Sequence, residues 1–219
     1  MTVKECGHDD DDHRKFNRKM IGGVLSFIIL VLFVIFLIWL ILRPTKPQFI
    51  LIDATIFAFN ITGTGPPLNL PNSLTSNFQI TISSRNPNAR IGIFYDKIDV
   101  YASYHGQQIT LPTLLPPSYQ GHKDVTVWSP FIYGSSVPVA PYLGESLGQD
   151  QVAGTVLINI RVDGRVRWKV GNFISGRYRL YANCPAYISF GGGGRNGGNG
   201  FLSGPSIKYQ LAQSCHVDV

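Results

Sequence analysis

The sequence predicts a mostly β protein, an antiparallel β-sandwich, preceded by one transmembrane helix. Two observations carry this prediction. An uncharged apolar run of 22 residues, 21–42, lies near the N-terminus. Beyond it, short segments alternate apolar and polar residues and are separated by Gly, Pro, Asn and Asp, with no amphipathic helix indicated among them. This combination is typical of a sandwich built from short strands.

The apolar run is predicted to be a retained membrane helix, residues 20–42. A helix rises about 1.5 Å per residue, so this length crosses a hydrocarbon core roughly 30 Å thick. A cleaved signal peptide would have a shorter apolar region followed by small residues, whereas here bulky residues from Trp39 onward lead into Arg43. Five Lys or Arg residues precede the run, and only Arg43 and Lys46 follow it closely. Because positive flanks stay in the cytosol, we expect a cytosolic N-terminus and an extracytosolic domain.

The segments on either side of this helix are short and polar. Residues 1–19 contain HDDDDHRK and are predicted to be a disordered cytosolic tail, because they cannot bury a core. The two histidines around the four aspartates do not indicate a metal site, since no fold would arrange them in advance. Residues 43–48 contain two prolines and are predicted to be a stiff spacer. The folded domain is expected to span residues 49–219.

Period-two alternation within this domain predicts eight strands, in residues 49–61, 77–85, 95–104, 107–111, 123–129, 152–162, 165–170 and 177–190. Asp163-Gly164 is predicted to form a tight hairpin turn, because both residues tolerate positive φ. The Gly- and Pro-rich residues 63–73 and the glycine run 191–200 are predicted to be loops.

Asn86-Pro87-Asn88 interrupts the pattern between two of these segments. Proline does not continue a ladder in a central strand, and asparagine side chains bond readily to nearby backbone. The tripeptide is therefore predicted to be a structural corner that turns the chain, without a catalytic role.

Three cysteines and one N-glycosylation sequon provide information on the compartment that each part of the chain occupies. Cys6 would face the reducing cytosol, whereas Cys184 and Cys215 would share an oxidising compartment and are a candidate disulfide. Two buried free thiols are the alternative. Asn60-Ile61-Thr62 is the only N-x-[ST] sequence, so Asn60 is a candidate glycosylation site, or an unmodified strand end.

Charge is concentrated in one part of the domain. Residues 1–19 are neutral overall, so the net charge of +6 lies beyond the membrane segment. Basic residues alternate with apolar residues along two predicted strands and would form a cationic stripe if the strands are neighbours. The stripe comprises Arg161, Arg165, Arg167, Lys169, Arg177 and Arg179. It would meet anionic lipid or acidic polysaccharide, although an ordinary solvated sheet face gives the same pattern. Nucleic acid is not expected as a partner outside the cytosol.

No pattern predicts catalysis. The sequence GESLG, residues 144–148, matches the G-x-S-x-G nucleophile elbow, but no strand leads into it and no helical pattern follows. The glycine run 191–200 lacks the Lys-Ser or Lys-Thr of a phosphate-binding loop. The domain's histidines lie far apart and have no metal-ligand spacing. We therefore predict no catalytic residue, no cofactor and no metal site.

One resemblance joins these observations. The segment FQITISSRNPNARIGIFYDKIDVYASYHGQQIT, followed by LPPSYQGHKDVTVWSPFIYG, VDGRVRWKVG and a cysteine near the C-terminus, resembles the plant late-embryogenesis-abundant group-2 domain. With the tail and membrane helix, the chain resembles the harpin-induced-like and non-race-specific-disease-resistance-like membrane proteins of plants. The match runs from the helix onward.

That resemblance implies a fibronectin- or immunoglobulin-like sandwich on a plasma-membrane protein, often at plasmodesmata, that acts in defence without enzymatic activity. The Asn86-Pro87-Asn88 corner corresponds to a family signature. The expected partners are the lipid bilayer and other plasma-membrane proteins or anionic wall or lipid surfaces. A protein that protects membrane or wall during dehydration is the alternative function.

Overall fold

The computed structural model describes residues 9–41, 44–62, 73–189 and 207–219. Its contacts divide the chain into two units, residues 1–43 and 44–219. The first unit contains helix α1, Asp9–Ile41. Within α1, Met20–Leu37 has a mean hydropathy of 3.0 and none of it is buried, so its length and composition suffice to cross a membrane.

Helix α1 begins earlier than the sequence indicated. Residues 9–19 were predicted to be disordered, but they are helical from Asp9. Once a helix exists, each further residue adds one backbone hydrogen bond, so the apolar helix extends into the polar residues before it. Residues 1–8 of the predicted tail lie outside the described residues.

The second unit is built from two antiparallel sheets. Sheet A contains β1 (Gln48–Thr62), β2 (Ser73–Arg85), β7 (Val125–Trp128), β8 (Phe131–Pro138) and β12 (Ile207–Ser214). Sheet B contains β3 (Ile91–Tyr104), β4 (Gln107–Gln108), β5 (Thr113–Leu115), β6 (Ser118–Gln120), β9 (Thr155–Val170), β10 (Phe173–Ile174), β11 (Tyr178–Ser189) and β13 (His216–Asp218).

The strand order places the long strands at the centre of each sheet. Sheet A runs β12-β1-β2, with β7 and β8 both paired to β2. Sheet B runs β13-β11-β9-β3, with β10 beside β9, and β4, β5 and β6 beside β3. The predicted β fold is thus confirmed.

Inward residues of both sheets form one apolar core. Near the start of β1 the core is aromatic: Phe49 and Trp128 stack with ring centroids 6.5 Å apart, and Tyr95 meets Trp128 edge-on at 5.4 Å. The Tyr95 hydroxyl donates to Gln120 Oε1 at 2.9 Å and lies 2.8 Å from Ser84 Oγ. Burial raises the pKa of Tyr95, so this tyrosine stays neutral and keeps its hydrogen-bonding proton.

The predicted hairpin at Asp163-Gly164 is wrong. Strand β9 passes through both residues without interruption, and Gly164 pairs with Ile98 on one side and Leu180 on the other. A Cβ at Gly164 would lie 2.6 Å from the Lys97 carbonyl oxygen, so glycine is required here for close strand approach. The turn that ends β9 comes instead at Gly171-Asn172, where Gly171 has a φ of 56°.

A second element departs from the expectation of an all-β domain. Pro141–Ala153 forms helix α2, and the strand predicted to begin at residue 152 begins at Thr155. Pro141 suits the first helical position, where no N–H partner is needed. Leu143 and Leu147 are both 2% exposed and lie one turn apart. Two buried leucines give only a weak apolar stripe, which explains why the pattern did not indicate a helix.

The remaining differences concern short strands and loops. Strands β5, β6, β10 and β13 were not predicted because they have only two or three residues, and β8 was not predicted because it contains Gly, Ser and Pro. Strand β12 was not predicted either, although apolar and polar residues alternate along it. Of the predicted loop 63–73, Ser73 begins β2 and the rest lies outside the described residues. The predicted glycine-rich loop 191–200 also lies outside them.

Candidate functional site

The predicted cationic stripe lies on the outward face of sheet B. Arg161, Arg165, Arg167 and Lys169 occupy alternate positions of β9, whose intervening residues point into the core. Arg179 of β11 pairs directly with Arg165, and Arg177 comes just before β11. The fold therefore brings the six residues onto neighbouring strands.

Half of the stripe is engaged in ion pairs. Asp96 sits at a β-bulge opposite β9 and accepts hydrogen bonds from Arg167 Nε at 2.8 Å and Arg177 Nε at 3.3 Å. The hydrogen bonds from Arg167 hold the pKa of the Asp96 carboxyl below its ordinary value. Arg179 Nη2 pairs with Asp163 Oδ2 at 2.7 Å. These carboxylates reduce the local field and fix the directions of the guanidinium groups.

The centre of the stripe keeps a net positive charge. Lys97, Arg165 and Arg179 stand opposite one another on β3, β9 and β11, in one row across the sheet. Among the described residues, Arg165 makes no ion pair, whereas its two neighbours pair with Asp99 and Asp163. Like charges in directly opposite positions repel one another. The row is therefore a local excess of positive charge that an anion would relieve.

Aromatic rings form one end of the stripe. Phe94 and Tyr119 lie with centroids 4.6 Å apart. The Arg167 guanidinium lies 5.4 Å from the Phe94 centroid, and Lys169 Nζ lies 5.3 Å from the Tyr119 centroid. A Cβ at Gly92 would overlap the Tyr119 hydroxyl, so this glycine allows the ring to lie flat on the strand. Cation–π contacts hold both cations over an exposed aromatic surface.

The other end of the stripe is a hydrogen-bonded cluster. Arg161 Nε donates to Ser103 Oγ at 3.0 Å, and its Nη1 donates to the Tyr181 hydroxyl. Its guanidinium lies 5.8 Å from the centroid of the same tyrosine ring. This arginine is therefore positioned by neutral partners and makes no ion pair among the described residues.

The Asn-Pro-Asn tripeptide forms a corner with its amides turned inward. Asn86 is fully buried, and its Nδ2 donates to the carbonyls of Ile91 at 2.7 Å and Gly121 at 2.8 Å. Its Oδ1 accepts from the Asn88 backbone N–H at 3.0 Å. The Asn88 side chain in turn pairs with both the N–H and the carbonyl of Thr45. These contacts join the corner to β3, to Gly121 and to the start of the domain.

Cys184 and Cys215 are joined by a disulfide. Cys184 lies on an inward position of β11, and Cys215 lies between β12 and β13, where the chain passes from sheet A to sheet B. The bond therefore ties the C-terminal strands to the core at the point where the two sheets meet.

The other candidates identified from the sequence are not brought together. Asn60 is a half-buried residue of β1, and its Oδ1 is buried without a hydrogen-bond partner in the described part of the chain. Glycosylation there stays a prediction. Ser146 of GESLG lies inside α2, and its Oγ donates to the Tyr142 carbonyl at 2.9 Å. This helical position is not the strand-to-helix elbow of a hydrolase. Within the described ranges, His, Cys, Asp and Glu form no cluster suited to a metal.

Sequence reasoning missed the partners of the stripe. Asp96, Phe94 and Tyr119 lie on strands remote in sequence from β9, so their contacts depend on which strands are neighbours. Only the alternation of Phe94 and Asp96 with the buried Tyr95 could have indicated their outward position.

Comparisons with known proteins agree with this architecture. Residues 81–184 match the family model LEA_2, described as late embryogenesis abundant protein. The chain is 57% identical to NDR1/HIN1-like protein 1 of Arabidopsis thaliana, over 99% of this chain and 100% of that protein. The chain belongs to the NDR1/HIN1-like family. It is also 51% identical to NDR1/HIN1-like protein 12 over the full length of both chains, and 40% identical to NDR1/HIN1-like protein 26 over 80% of each, both from the same plant.

The family resemblance inferred from the sequence is thereby confirmed. NDR1/HIN1-like proteins are plant proteins related to stress and defence, and the family is not known for enzymatic activity. Beyond this, the location and the partners of the present chain are matters of proposal.

Proposed function

We propose that this chain is a single-pass plasma-membrane protein whose sandwich acts outside the cytosol as a non-enzymatic interaction module in plant defence, including at plasmodesmata. The observation that carries the proposal is 57% identity to NDR1/HIN1-like protein 1 across nearly the whole chain. Helix α1, with its uncharged segment Met20–Leu37, supplies the anchor, and the larger number of Lys and Arg residues before this segment than closely after it favours a cytosolic N-terminus.

The disulfide supports an extracytosolic domain, because such bonds persist in oxidising compartments. The test is the gel mobility of the full-length protein from plant membranes, with and without an N-glycan-removing enzyme, beside Asn60→Gln. Protease added to intact cells is the second readout. A shift that Asn60→Gln abolishes, or digestion of the domain, supports the topology. Protection of the domain together with no shift would contradict it.

The cationic stripe is the surface we assign to partners: anionic wall polysaccharide or lipid, or other plasma-membrane proteins. The row of Lys97, Arg165 and Arg179 supports this assignment, because its three cations have two carboxylate partners and the remaining repulsion falls when an anion binds. In solid-phase binding to polygalacturonate, Arg165→Gln with Lys169→Gln should weaken attachment. A matched double variant, Arg85→Gln with Lys123→Gln, removes the same charge elsewhere and should weaken it less. Equal losses would show that only net charge matters and would remove the stripe as a site.

Protection during dehydration is the second candidate function, and the late embryogenesis abundant description of residues 81–184 favours it. Plants lacking the protein separate the two functions. A defence role is expected to alter pathogen growth, whereas a protective role alters survival of drying while pathogen growth stays normal.

A further inference from the structure

The first residues of the domain, the Asn-Pro-Asn corner and two turns lie at one end of the sandwich. We name this end the base. Asn88 holds Thr45 through two hydrogen bonds of 2.8 and 2.9 Å, and its carbonyl accepts from the Lys123 N–H at 3.0 Å. Ile91, just after the corner, pairs with Val170 on β9, and Val170 pairs with Phe173 on β10. The β9–β10 hairpin therefore lies at the same end as Thr45.

The tip of this hairpin is apolar and exposed. Phe173 is 71% exposed and Ile174 is 41% exposed. The hairpin is nevertheless well fastened, because the Ser175 N–H donates to the Trp168 carbonyl at 2.9 Å and the Trp168 N–H donates to Ser175 Oγ at 2.9 Å. An ordered turn thus holds two neighbouring apolar side chains in water, where contact with a membrane would bury them.

Positive charge lies at the same end of the sandwich as the tip. Arg85, Arg90 and Lys123 are exposed at the base and form no ion pair within the part of the chain that the structure describes. The nearby Asp124 carboxylate is engaged locally, accepting the N–H groups of Gly121 and Val125. An anionic bilayer offers acyl chains beneath negative headgroups, and so could accept both the apolar tip and the cations at this end of the sandwich.

We propose that the base is a lipid-docking surface, in which Phe173 and Ile174 enter the headgroup region while Arg85, Arg90 and Lys123 meet anionic headgroups. Thr45 follows the predicted membrane segment by three residues, a reach of about 11 Å at most. Such a short tether keeps a bilayer at high effective concentration, which favours lipid over a freely diffusing protein. This inference rests on the proposed membrane anchor and adds a second contact with the membrane.

The test uses the full-length chain in nanodiscs whose lipids are brominated near the headgroup. Discs contain either phosphatidylcholine alone or phosphatidylcholine with phosphatidylserine. Phe173→Trp places a fluorophore at the tip, and Phe131→Trp places one on the outward face of sheet A as the matched control. We expect brominated lipid to remove most of the emission added by Phe173→Trp in anionic discs and little of that added by Phe131→Trp. Equal quenching of the two would overturn the docking surface and leave the tip for a protein partner.

Two further variants test the charges. Combined with Phe173→Trp, Arg90→Gln and Lys123→Gln should each weaken docking in anionic discs roughly fivefold. Gln79→Glu, which lowers the net charge by the same amount on the outward face of sheet A, should leave the quenching unchanged. Quenching insensitive to both base cations and to phosphatidylserine would overturn their assigned role.

The emission of Trp39 distinguishes failure of the proposed membrane anchor from failure of the proposed lipid docking. It lies within the predicted membrane segment, so its emission in the wild-type chain should be quenched in every brominated disc. Unquenched Trp39 would contradict the anchor and, with it, the docking. Quenched Trp39 without quenching at position 173 would overturn the docking alone.

Discussion

The outward faces of the two sheets differ sharply, although their inward faces form one core. On β2 of sheet A the outward positions are uncharged: Thr75, Asn77, Gln79, Thr81 and Ser83. On β9 of sheet B every outward position from Arg161 to Lys169 carries a charge. Both strands are central and antiparallel, so folding makes the same demand on both faces. The fold therefore does not by itself require the charge on β9, and the following substitutions separate the stability of the fold from the proposed contact.

The largest loss of stability is expected from Asn86→Ala. The substitution leaves two buried carbonyls, of Ile91 and Gly121, without their donor, and each costs about 1–3 kcal/mol. We expect a loss of roughly 3–5 kcal/mol in the free energy of unfolding, measured by urea denaturation of residues 44–219. Asn77→Ala, on the neutral face, is the control and should change stability by less than about 0.5 kcal/mol. Similar losses in both variants would mean that the corner carries no special stability.

The second-largest loss of stability is expected from removal of the disulfide. Cys184→Ala with Cys215→Ala releases a cross-link with a sequence separation of 31, for which chain entropy predicts roughly 3–4 kcal/mol. The expected result is a lower urea midpoint for the double variant, and a matching fall for the wild-type domain under reducing conditions. A wild-type domain that reductant does not destabilise would contradict this, because the cross-link would then contribute nothing.

Gly164→Ala tests whether the close approach of neighbouring strands at this position of β9 requires glycine. The added methyl group would meet the Lys97 carbonyl and the Ile98 side chain, so we expect a loss of about 1–3 kcal/mol in unfolding free energy. Gly148→Ala in α2 is the matched control, because nothing lies within 4 Å of its Cβ position. Alanine there should stabilise the helix by about 0.5–1 kcal/mol. If Gly164→Ala is equally harmless, close strand approach is not the reason for this glycine.

The wrong hairpin prediction at Asp163-Gly164 shows which of two sequence signals is more reliable. A two-residue turn would have paired Val162 with Arg165 on one face, an apolar residue against a charged one. Continuous alternation instead keeps Val162, Gly164 and Val166 inward and the charged residues outward, as observed. Local turn propensity favoured the hairpin, and the longer alternation pattern was the stronger evidence. The sandwich was predicted from that same periodicity. The periodicity is present because one face of each long strand is buried and requires apolar residues at alternate positions.

The candidate site was predictable only in its charges. Alternation placed Arg161 to Lys169 on one face, and β9–β11 pairing then added Arg179. The neutralising role of Asp96 depends on a β-bulge in β3, which sets Asp96 and Lys97 on the same outward side. The exposed tip at Phe173 depends on a two-residue turn that begins at Gly171. Both features arise from pairing between strands, on which a single sequence gives little information.

Asp96→Asn should have the smallest effect on stability and sharpens the contrast between the faces. It removes the acceptor of Arg167 and Arg177 from a partly exposed ion pair, so we expect a loss of at most about 1 kcal/mol in unfolding free energy. Because the pKa of Asp96 is lowered by folding, this contribution exists above the unfolded carboxyl pKa of about 3.9 and disappears as pH falls through the folded value. The urea midpoints of the two proteins should therefore differ at neutral pH and converge below about pH 4. Polygalacturonate binding at neutral pH should rise, since two guanidinium groups lose their carboxylate partner. A variant that binds polygalacturonate no better than the wild type would show that Asp96 does not restrain the stripe.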